Sequence, residues 1–499
     1  MKIQELFEDI PSCLIQGSKE NIIKGITSNS KEVKPGYLFI ARKGQTHDGL
    51  QYIHEAIDLG AIAILTSTPI EIDEKLTCIS HPDPKVIEAQ LSANFYQHPS
   101  KQLFMVGITG TNGKTTTSYI VKHLLDEFFP TCGLIGTIEN IVGNKHYSTT
   151  HTTPDTTKNQ QLLFEMIQEG CHSAVMEVTS HALTQGRVDQ IDYDVAVFTN
   201  LTQDHLDYHI TMQDYCEAKS RLFQQINHLA DNKWAVVNQD DPWTPSIIQE
   251  CKANILSYGI EKESDLKASQ LRLTDQGTYA LITYQGKTYD YFCPLIGRFN
   301  FYNCLAAIGI CLTKKISLDV ILSKMIKLPF VKGRLQAVSN PLGLKIFVDY
   351  AHTDDALMKV LQSLKELQIK GKILVVFGCG GNRDISKRKK MAKAVDVFAH
   401  HCIVTSDNPR NEDPNDICNE IIKGFSPQAS FEVEIDRFIA IKKAISIATK
   451  DDLILIAGKG HECLQIFADR TIPFDDHLIS QEICQQLSQQ QPQHYQVIE

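Results

Sequence analysis

Short apolar runs alternate along most of the chain with longer segments whose apolar positions recur at helical spacing, the signature of strand alternating with helix. Residues 36–41 and 61–65 read as strands on either side of a turn at 44–49 and a helical stretch at 51–59, and a helix ends at 95–100. A buried strand at 104–108 leads into a helix at 115–129. Further apolar runs at 173–178, 195–199, 234–238 and 254–258 read as strands of a parallel sheet. Residues 271–292 alternate instead and carry a Gln285-Gly286 turn, which predicts an antiparallel hairpin in or beside that sheet. An apolar helix follows at 301–312, and strands at 344–348, 373–377, 401–405 and 453–457 form a second, smaller doubly wound set. The glutamine-rich tract 485–493 reads as a frayed tail.

Length changes the picture only by partition: 499 residues suit about three domains. The boundaries expected are 1–100 for a smaller N-terminal α/β domain, 101–331 for a central domain and 332–499 for a Rossmann-like C-terminal domain. With 42% hydrophobic and 22% charged residues, disorder and fibrous folds are excluded. A net charge of −10 argues against a general nucleic-acid binder. The 14 cysteines are scattered singly, as reduced thiols would be, and the N-terminus is acidic where a signal peptide needs an apolar core. No apolar run reaches the length of a membrane span. A soluble cytoplasmic protein is expected.

The chemistry begins at Gly107-Ile108-Thr109-Gly110-Thr111-Asn112-Gly113-Lys114-Thr115-Thr116, between a predicted strand and a predicted helix. Glycines let backbone N–H groups wrap a phosphate, a lysine reaches the terminal phosphates, and a threonine hydroxyl suits Mg²⁺. The glycines fall at 107, 110 and 113, while Ile108 holds the position of the usual first glycine. Two more strands end in polar clusters: Glu177 closes one, and Thr199-Asn200 with Asp204-His205-Leu206-Asp207 follows another. In an open α/β sheet these ends face the ligand crevice, where a carboxylate and an imidazole could share a metal ion.

These motifs, continued by residues 295–300 with Asn303, by Gly333-Arg334 and by Asp349-Tyr350-Ala351-His352-Thr353, resemble the Mur ligase family over essentially the whole chain. Its members are ATP-dependent enzymes that add amino acids to the peptidoglycan precursor. The resemblance implies a central P-loop ATPase domain that binds ATP through Gly110, Thr111, Asn112, Gly113, Lys114, Thr115 and Thr116, joined by Asn303, Arg334 and Asp349. It implies Mg²⁺ on Thr115, Glu177 and His205, with a second ion supported by Lys219 as a carbamate. Lys219, read without the resemblance, is an ordinary solvated helix residue. His352 is a further catalytic candidate, as a proton relay.

By the same resemblance, Ser28 and Ser30 lie in the uridine-binding stretch, with Asn29 and Lys31 in place of the usual Asp and Arg, and the 47–49 loop adjoins. Thr152 and Thr153 would contact the UDP-sugar end, although His151 stands where a relative has Asn, and Thr179, Gln185 and Arg187 would hold the muramoyl-dipeptide. Asp407-Asn408-Pro409-Arg410 resembles the motif of members that add meso-2,6-diaminopimelate to UDP-N-acetylmuramoyl-L-alanyl-D-glutamate. Diaminopimelate differs from lysine by a far carboxylate, which a guanidinium pairs bidentately while repelling lysine's ammonium. Arg410 and Arg383 would meet that carboxylate, Asn408 would assist, and Glu462, beyond Gly458, would accept from the far ammonium; Asp407 would brace the loop. The alternatives are a lysine-adding member, a folylpolyglutamate synthetase (which lacks the uridine-binding domain) and a non-catalytic nucleotide-binding scaffold. A monomer is expected. One departure is Asp354, where the family has proline.

Overall fold

The computed structural model describes residues 1–44, 48–70, 76–228, 230–367 and 369–490. His47 of the predicted uridine loop lies outside them. The chain divides into two compact units, Met1–Leu266 with Ala306–Ile321, and Lys267–Leu305 with Leu322–Glu499.

In the first unit, the N-terminal sheet runs Leu14–Gln16, Thr77–Ser80, Ala63–Thr66, Tyr37–Ile40, Gly25–Thr27. All neighbours are parallel except the first pair. Its inner strands are buried apart from a partly exposed Tyr37, because Ile3, Leu6 and Leu91 pack on one face and Val33, Ile53 and Ala56 on the other. The larger sheet orders Asn254–Gly259, Trp234–Asn238, Val195–Phe198, Phe104–Thr109, Ser173–Glu177, Cys132–Ile135, Glu139–Val142 and Lys145–Ser148. The first six are mutually parallel, and the last two turn back antiparallel. The antiparallel pair at that edge and the parallel strand Cys132–Ile135 beside it are additional to the strands expected from the sequence. Four-residue runs such as these are too short to separate from loop by pattern.

Register sets the site. Glu177 pairs with Ile108 and Phe198 with Thr109, so three strands end at one level. Phe104–Thr109 lies between the other two, where the chain crosses from one side of the sheet to the other, the usual position of a ligand crevice. The helix Lys114–Phe128 buries Ile120, Val121, Leu124 and Leu125 against this sheet, which fixes its N-terminus under the glycine loop.

In the second unit, the strand Leu266–Thr274 precedes a hairpin of Gly277–Tyr284 and Lys287–Cys293. Gln285 (φ 49°) and Gly286 (φ 76°) form its two-residue turn, whose positive angles match the twist of the flanking strands. The C-terminal sheet runs Gln336–Ala337, Lys345–Asp349, Leu453–Ala457, Ile373–Phe377, His401–Val404, Phe431–Val433, parallel apart from the first pair. Alternate residues enter separate cores, Phe347, Val375 and Leu455 on one face and Val348, Val376 and Ile454 on the other. Residues 485–490 complete the helix Asp476–Gln490 and are not a frayed tail; 491–493 lie outside the described residues. Thr353 caps the helix Asp354–Lys365, so Asp354 occupies the first helical position, where proline and an acid are both well tolerated. Among the described residues no helix is long and apolar enough to cross a membrane.

Candidate active site

The glycine loop is held from the neighbouring strand end. Thr111 N–H donates to the Asn200 carbonyl at 2.8 Å, and Asn112 N–H to the Asn200 side-chain oxygen at 3.0 Å. Asn200 Nδ2 and Thr199 Oγ1 return bonds to the Asn112 carbonyl at 3.0 and 2.7 Å. Gly110 has φ +148°, and a Cβ there would lie 1.9 Å from Thr199 Oγ1, so no other residue fits. Lys114 Nζ folds onto the Gly110 and Thr111 carbonyls, both at 2.9 Å. Thr116 is buried one residue beyond Thr115 in the first helical turn.

Glu177 is fully buried. Its carboxylate accepts from Thr115 Oγ1, Thr137 N–H and Thr137 Oγ1, each at 2.9 Å. Thr137 Oγ1 also meets Thr152 Oγ1 at 3.1 Å. Thr153 Oγ1 donates to the Glu177 carbonyl at 2.8 Å and accepts from Thr179 N–H at 3.1 Å. Arg187 donates to the Thr153 carbonyl at 3.1 Å and faces Asp155 at 3.5 Å. The phosphate-loop helix is thus linked through Glu177 and Thr153 to Thr179 and Arg187, two of the residues expected at the muramoyl-dipeptide. Thr137 was not singled out from the sequence; its signal is the same apolar run ending in a polar residue that marked Glu177.

His205 lies among aromatic rings. No hydrogen bond or ion pair joins it to Glu177 among the described residues; its ring lies 4.9 Å from His181 and 6.0 Å from Tyr215. His209 stacks on Tyr215 at 5.0 Å and bonds Ser180 Oγ at 2.9 Å. Gln185 reaches Tyr208 Oη at 3.4 Å. Lys219 is not solvated: it is 1% exposed, and its Nζ donates to the Gly110 carbonyl at 2.9 Å beneath the loop. Burial and the Lys114 cation hold its ammonium well below the usual range. Burial, with the neighbouring His205 and His209, likewise takes His181 down to about 4. Titratable bases gathered this closely, with their charge suppressed, are groups whose protonated forms an anionic ligand would favour.

No three His, Cys, Asp or Glu side chains converge as a metal cage among the described residues. The Thr115 hydroxyl and Glu177 carboxylate are nonetheless hard oxygen donors side by side, which suits an ion that binds one or two protein oxygens together with phosphates and water. In the N-terminal sheet, Ser28 accepts from Arg42 at 3.5 Å, and Arg42 pairs with buried Glu88 at 2.6 Å. Ser30 is buried in a short turn that Asn29 caps, so Asn performs the capping an Asp would.

In the second unit, Asn408 is the centre of the predicted amino-acid pocket. Its Nδ2 donates to Glu462 Oε2 at 2.7 Å, while its Oδ1 accepts from Ile466 N–H at 3.0 Å and Lys459 Nζ at 3.1 Å. Lys459, which the sequence reading passed over between two glycines, is fully buried and also reaches Glu462 at 3.3 Å and the Leu464 carbonyl at 2.6 Å. Asp407 accepts from Asn408 N–H at 2.6 Å, bracing the loop. Arg410 (φ 53°) donates to the Gly381 carbonyl at 2.8 Å, Pro409 is buried, and Arg383 is exposed. Gly458 N–H donates to the Asp349 carbonyl at 3.1 Å. The Asp349 carboxylate is occupied by Leu335 and Ala351 N–H groups at 2.7 and 2.8 Å, and burial raises it against the pull of Arg334, which lies 4.8 Å over the Tyr350 ring. His352 is exposed, with Nδ1 on the Tyr350 carbonyl at 2.8 Å. Asn303 is buried in the helix Arg298–Thr313 and bonds Asn300 at 3.3 Å.

A strand feeding a glycine loop into a helix N-terminus at the crossover of a mostly parallel sheet defines a P-loop phosphate-binding fold. Residues 22–103 match the Mur ligase family catalytic domain, 108–311 the Mur ligase middle domain and 333–460 the Mur ligase glutamate ligase domain. The chain is 40% identical over 470 residues to a UDP-N-acetylmuramoyl-L-alanyl-D-glutamate–2,6-diaminopimelate ligase of Caldanaerobacter subterraneus, covering 94% of this chain and 96% of that one. It is 42% identical over 482 residues to the enzyme of that name from Listeria monocytogenes, covering 96% and 97%. A solved structure of a ligase of that name superposes with a TM-score of 0.71 at 31% identity, covering 98% and 99%. The chain belongs to the Mur ligase family and has its three-domain α/β architecture.

Proposed function

We infer that this chain is the ATP-dependent ligase that joins 2,6-diaminopimelate to UDP-N-acetylmuramoyl-L-alanyl-D-glutamate in peptidoglycan synthesis. The observation that carries it is identity of 40–42% across more than nine-tenths of the chain to ligases of that reaction. The pocket chemistry supports the same reading: Arg410 and Arg383 beside the Asn408–Glu462 pair suit a group bearing both a carboxylate and an ammonium. We assign the meso isomer, the cytoplasm and a monomer as part of this reading; the wholly unpaired thiols support a reducing compartment.

A carboxylate is a poor acyl donor, because its leaving group would be oxide. Transfer of the ATP γ-phosphate to the D-glutamyl carboxylate gives an acyl phosphate and ADP; the neutral amine then attacks the acyl carbon, and phosphate departs. In our assignment the loop N–H groups and Lys114 hold and align the phosphates, and Asn303, Arg334 and Asp349 are assigned to nucleotide binding. Thr115 and Glu177 would hold Mg²⁺, which when bound neutralises phosphate charge. Lys219, if carbamylated, would present an anion beneath the loop, and His205 would add a ligand. Ser28 and Ser30 would hold uridine. Thr152, Thr153, Thr179, Gln185 and Arg187 would hold the sugar-dipeptide, and His352 would relay a proton. Arg383, Asn408, Arg410 and Glu462 would select the amino acid, on a loop shaped by Asp407, Pro409 and Gly458.

The test is competition between diaminopimelate and lysine with the UDP-muramoyl-dipeptide and Mg²⁺-ATP. Incorporation of diaminopimelate in large excess is expected. Preference for lysine would overturn the pocket assignment, and ADP release independent of either acceptor would overturn the ligase reading.

A further inference from the structure

Arg388 lies in the basic run Ser386-Lys387-Arg388-Lys389-Lys390, a pattern that belongs on a solvated helix face, yet its side chain is 1% exposed. Its Nη2 meets Glu412 Oε2 at 2.8 Å and its Nη1 meets Glu420 Oε2 at 2.7 Å, in the helix Pro414–Ile422. The other Glu412 oxygen accepts the backbone N–H of Asn382. Glu412 therefore connects a buried cation to the turn that carries Arg383.

That turn is joined to the Arg410 loop at three further points. Gly381 N–H donates to the Asn408 carbonyl at 2.9 Å, Asn411 N–H to Asn382 Oδ1 at 3.0 Å, and Arg410 Nη1 to the Gly381 carbonyl at 2.8 Å. Asn382 and Arg410 both have left-handed backbones, φ 52° and 53°, which need outside bonds to persist. A Cβ on Gly381 would lie 1.9 Å from the Pro409 carbonyl, so the turns touch backbone to backbone. The Arg410 guanidinium is thus aimed by the turn that bears Arg383.

We propose that Arg388 and Glu412 are positioning residues for amino-acid selection, setting the spacing of the Arg383 and Arg410 guanidiniums that read the far carboxylate. This rests on the pocket assignment above. The Asn382 N–H, with Arg388 second, holds the Glu412 carboxyl below the usual carboxylate range, so it stays an anion and an acceptor.

The experiment measures kcat, both KM values and thermal midpoints for the full-length enzyme with Glu412→Gln, Arg388→Lys, Arg410→Ala and the Glu412→Gln/Arg410→Ala double change. Glu412→Gln and Arg388→Lys are expected to raise the KM for diaminopimelate about tenfold and narrow its preference over lysine, leaving the KM for ATP unchanged. In the Arg410→Ala background, Glu412→Gln should add less than about twofold, because it acts through that guanidinium. A fall in kcat or midpoint with the diaminopimelate KM unmoved, or effects that multiply fully in the double variant, would overturn the proposal. An Arg410→Ala enzyme with a normal diaminopimelate KM would remove the pocket assignment and the proposal with it. A raised KM there beside a normal Glu412→Gln enzyme removes the latch alone.

Discussion

Lys219 and Lys459 both bury their side chains almost completely, in opposite electrostatic company. Burial, with the Lys114 cation second, disfavours the charge on Lys219, and burial, joined by Lys219, lowers His205 and His209 in turn. Lys459 is surrounded by acceptors: Asn408, Glu462 and the Leu464 carbonyl. The first region gathers positive charge that a polyanion would stabilise; the second satisfies its own charges before any ligand arrives. On the proposed assignment, the phosphate site would draw affinity from the ligand's charge, whereas the amino-acid pocket would hold a fixed shape that discriminates between similar ends.

The largest effect expected from breaking this contrast is on activity. Lys114→Met should lower kcat/KM, followed by ADP release, by about 10³-fold or more, since it removes a cation at the phosphates where transition-state charge develops. Next comes stability, measured by urea unfolding. Lys459→Met strands the Leu464 carbonyl and should cost about 1–3 kcal/mol. Lys219→Met exchanges a buried, repelled cation for an apolar chain and should be neutral or slightly stabilising while abolishing turnover. Equal losses in both variants would erase the contrast.

The smallest effect is in pH dependence. His461 has a buried Nδ1 with no hydrogen-bond partner, and burial, with the Arg334 and Lys332 cations, takes its pKa down to about 4. The unfolded chain then binds the proton more readily, so this contribution is whole above pH ~6.5 and is lost as pH falls toward 4. Thermal midpoints between pH 7 and 5 should decline less steeply in His461→Asn than in the parent.

Much of this was legible in the sequence where spacing carries chemistry. The glycines at 107, 110 and 113 before Lys114, and Glu177 closing an apolar run, led directly to the crevice that the register builds. The family's marker at position 219 overrode the ordinary reading of a lysine, and the side chain is indeed buried. What stayed hidden depends on burial that composition cannot signal. Arg388 within a run of lysines and Thr137 after a four-residue strand acquire partners through residues distant in the chain, and Lys459 between glycines does so in part, through Asn408. For His205 the sequence offered a site candidate but not its company, because which rings it meets depends on its own left-handed backbone, φ 54°.

The reciprocal bonds between Asn200 and Asn112 have a thermodynamic corollary. A loop already clamped by its neighbouring strand surrenders its conformational freedom when the chain folds, not when a nucleotide docks. On the proposed phosphate assignment, residue 200 would therefore govern how much of the phosphates' attraction survives as net affinity, without itself having to touch them.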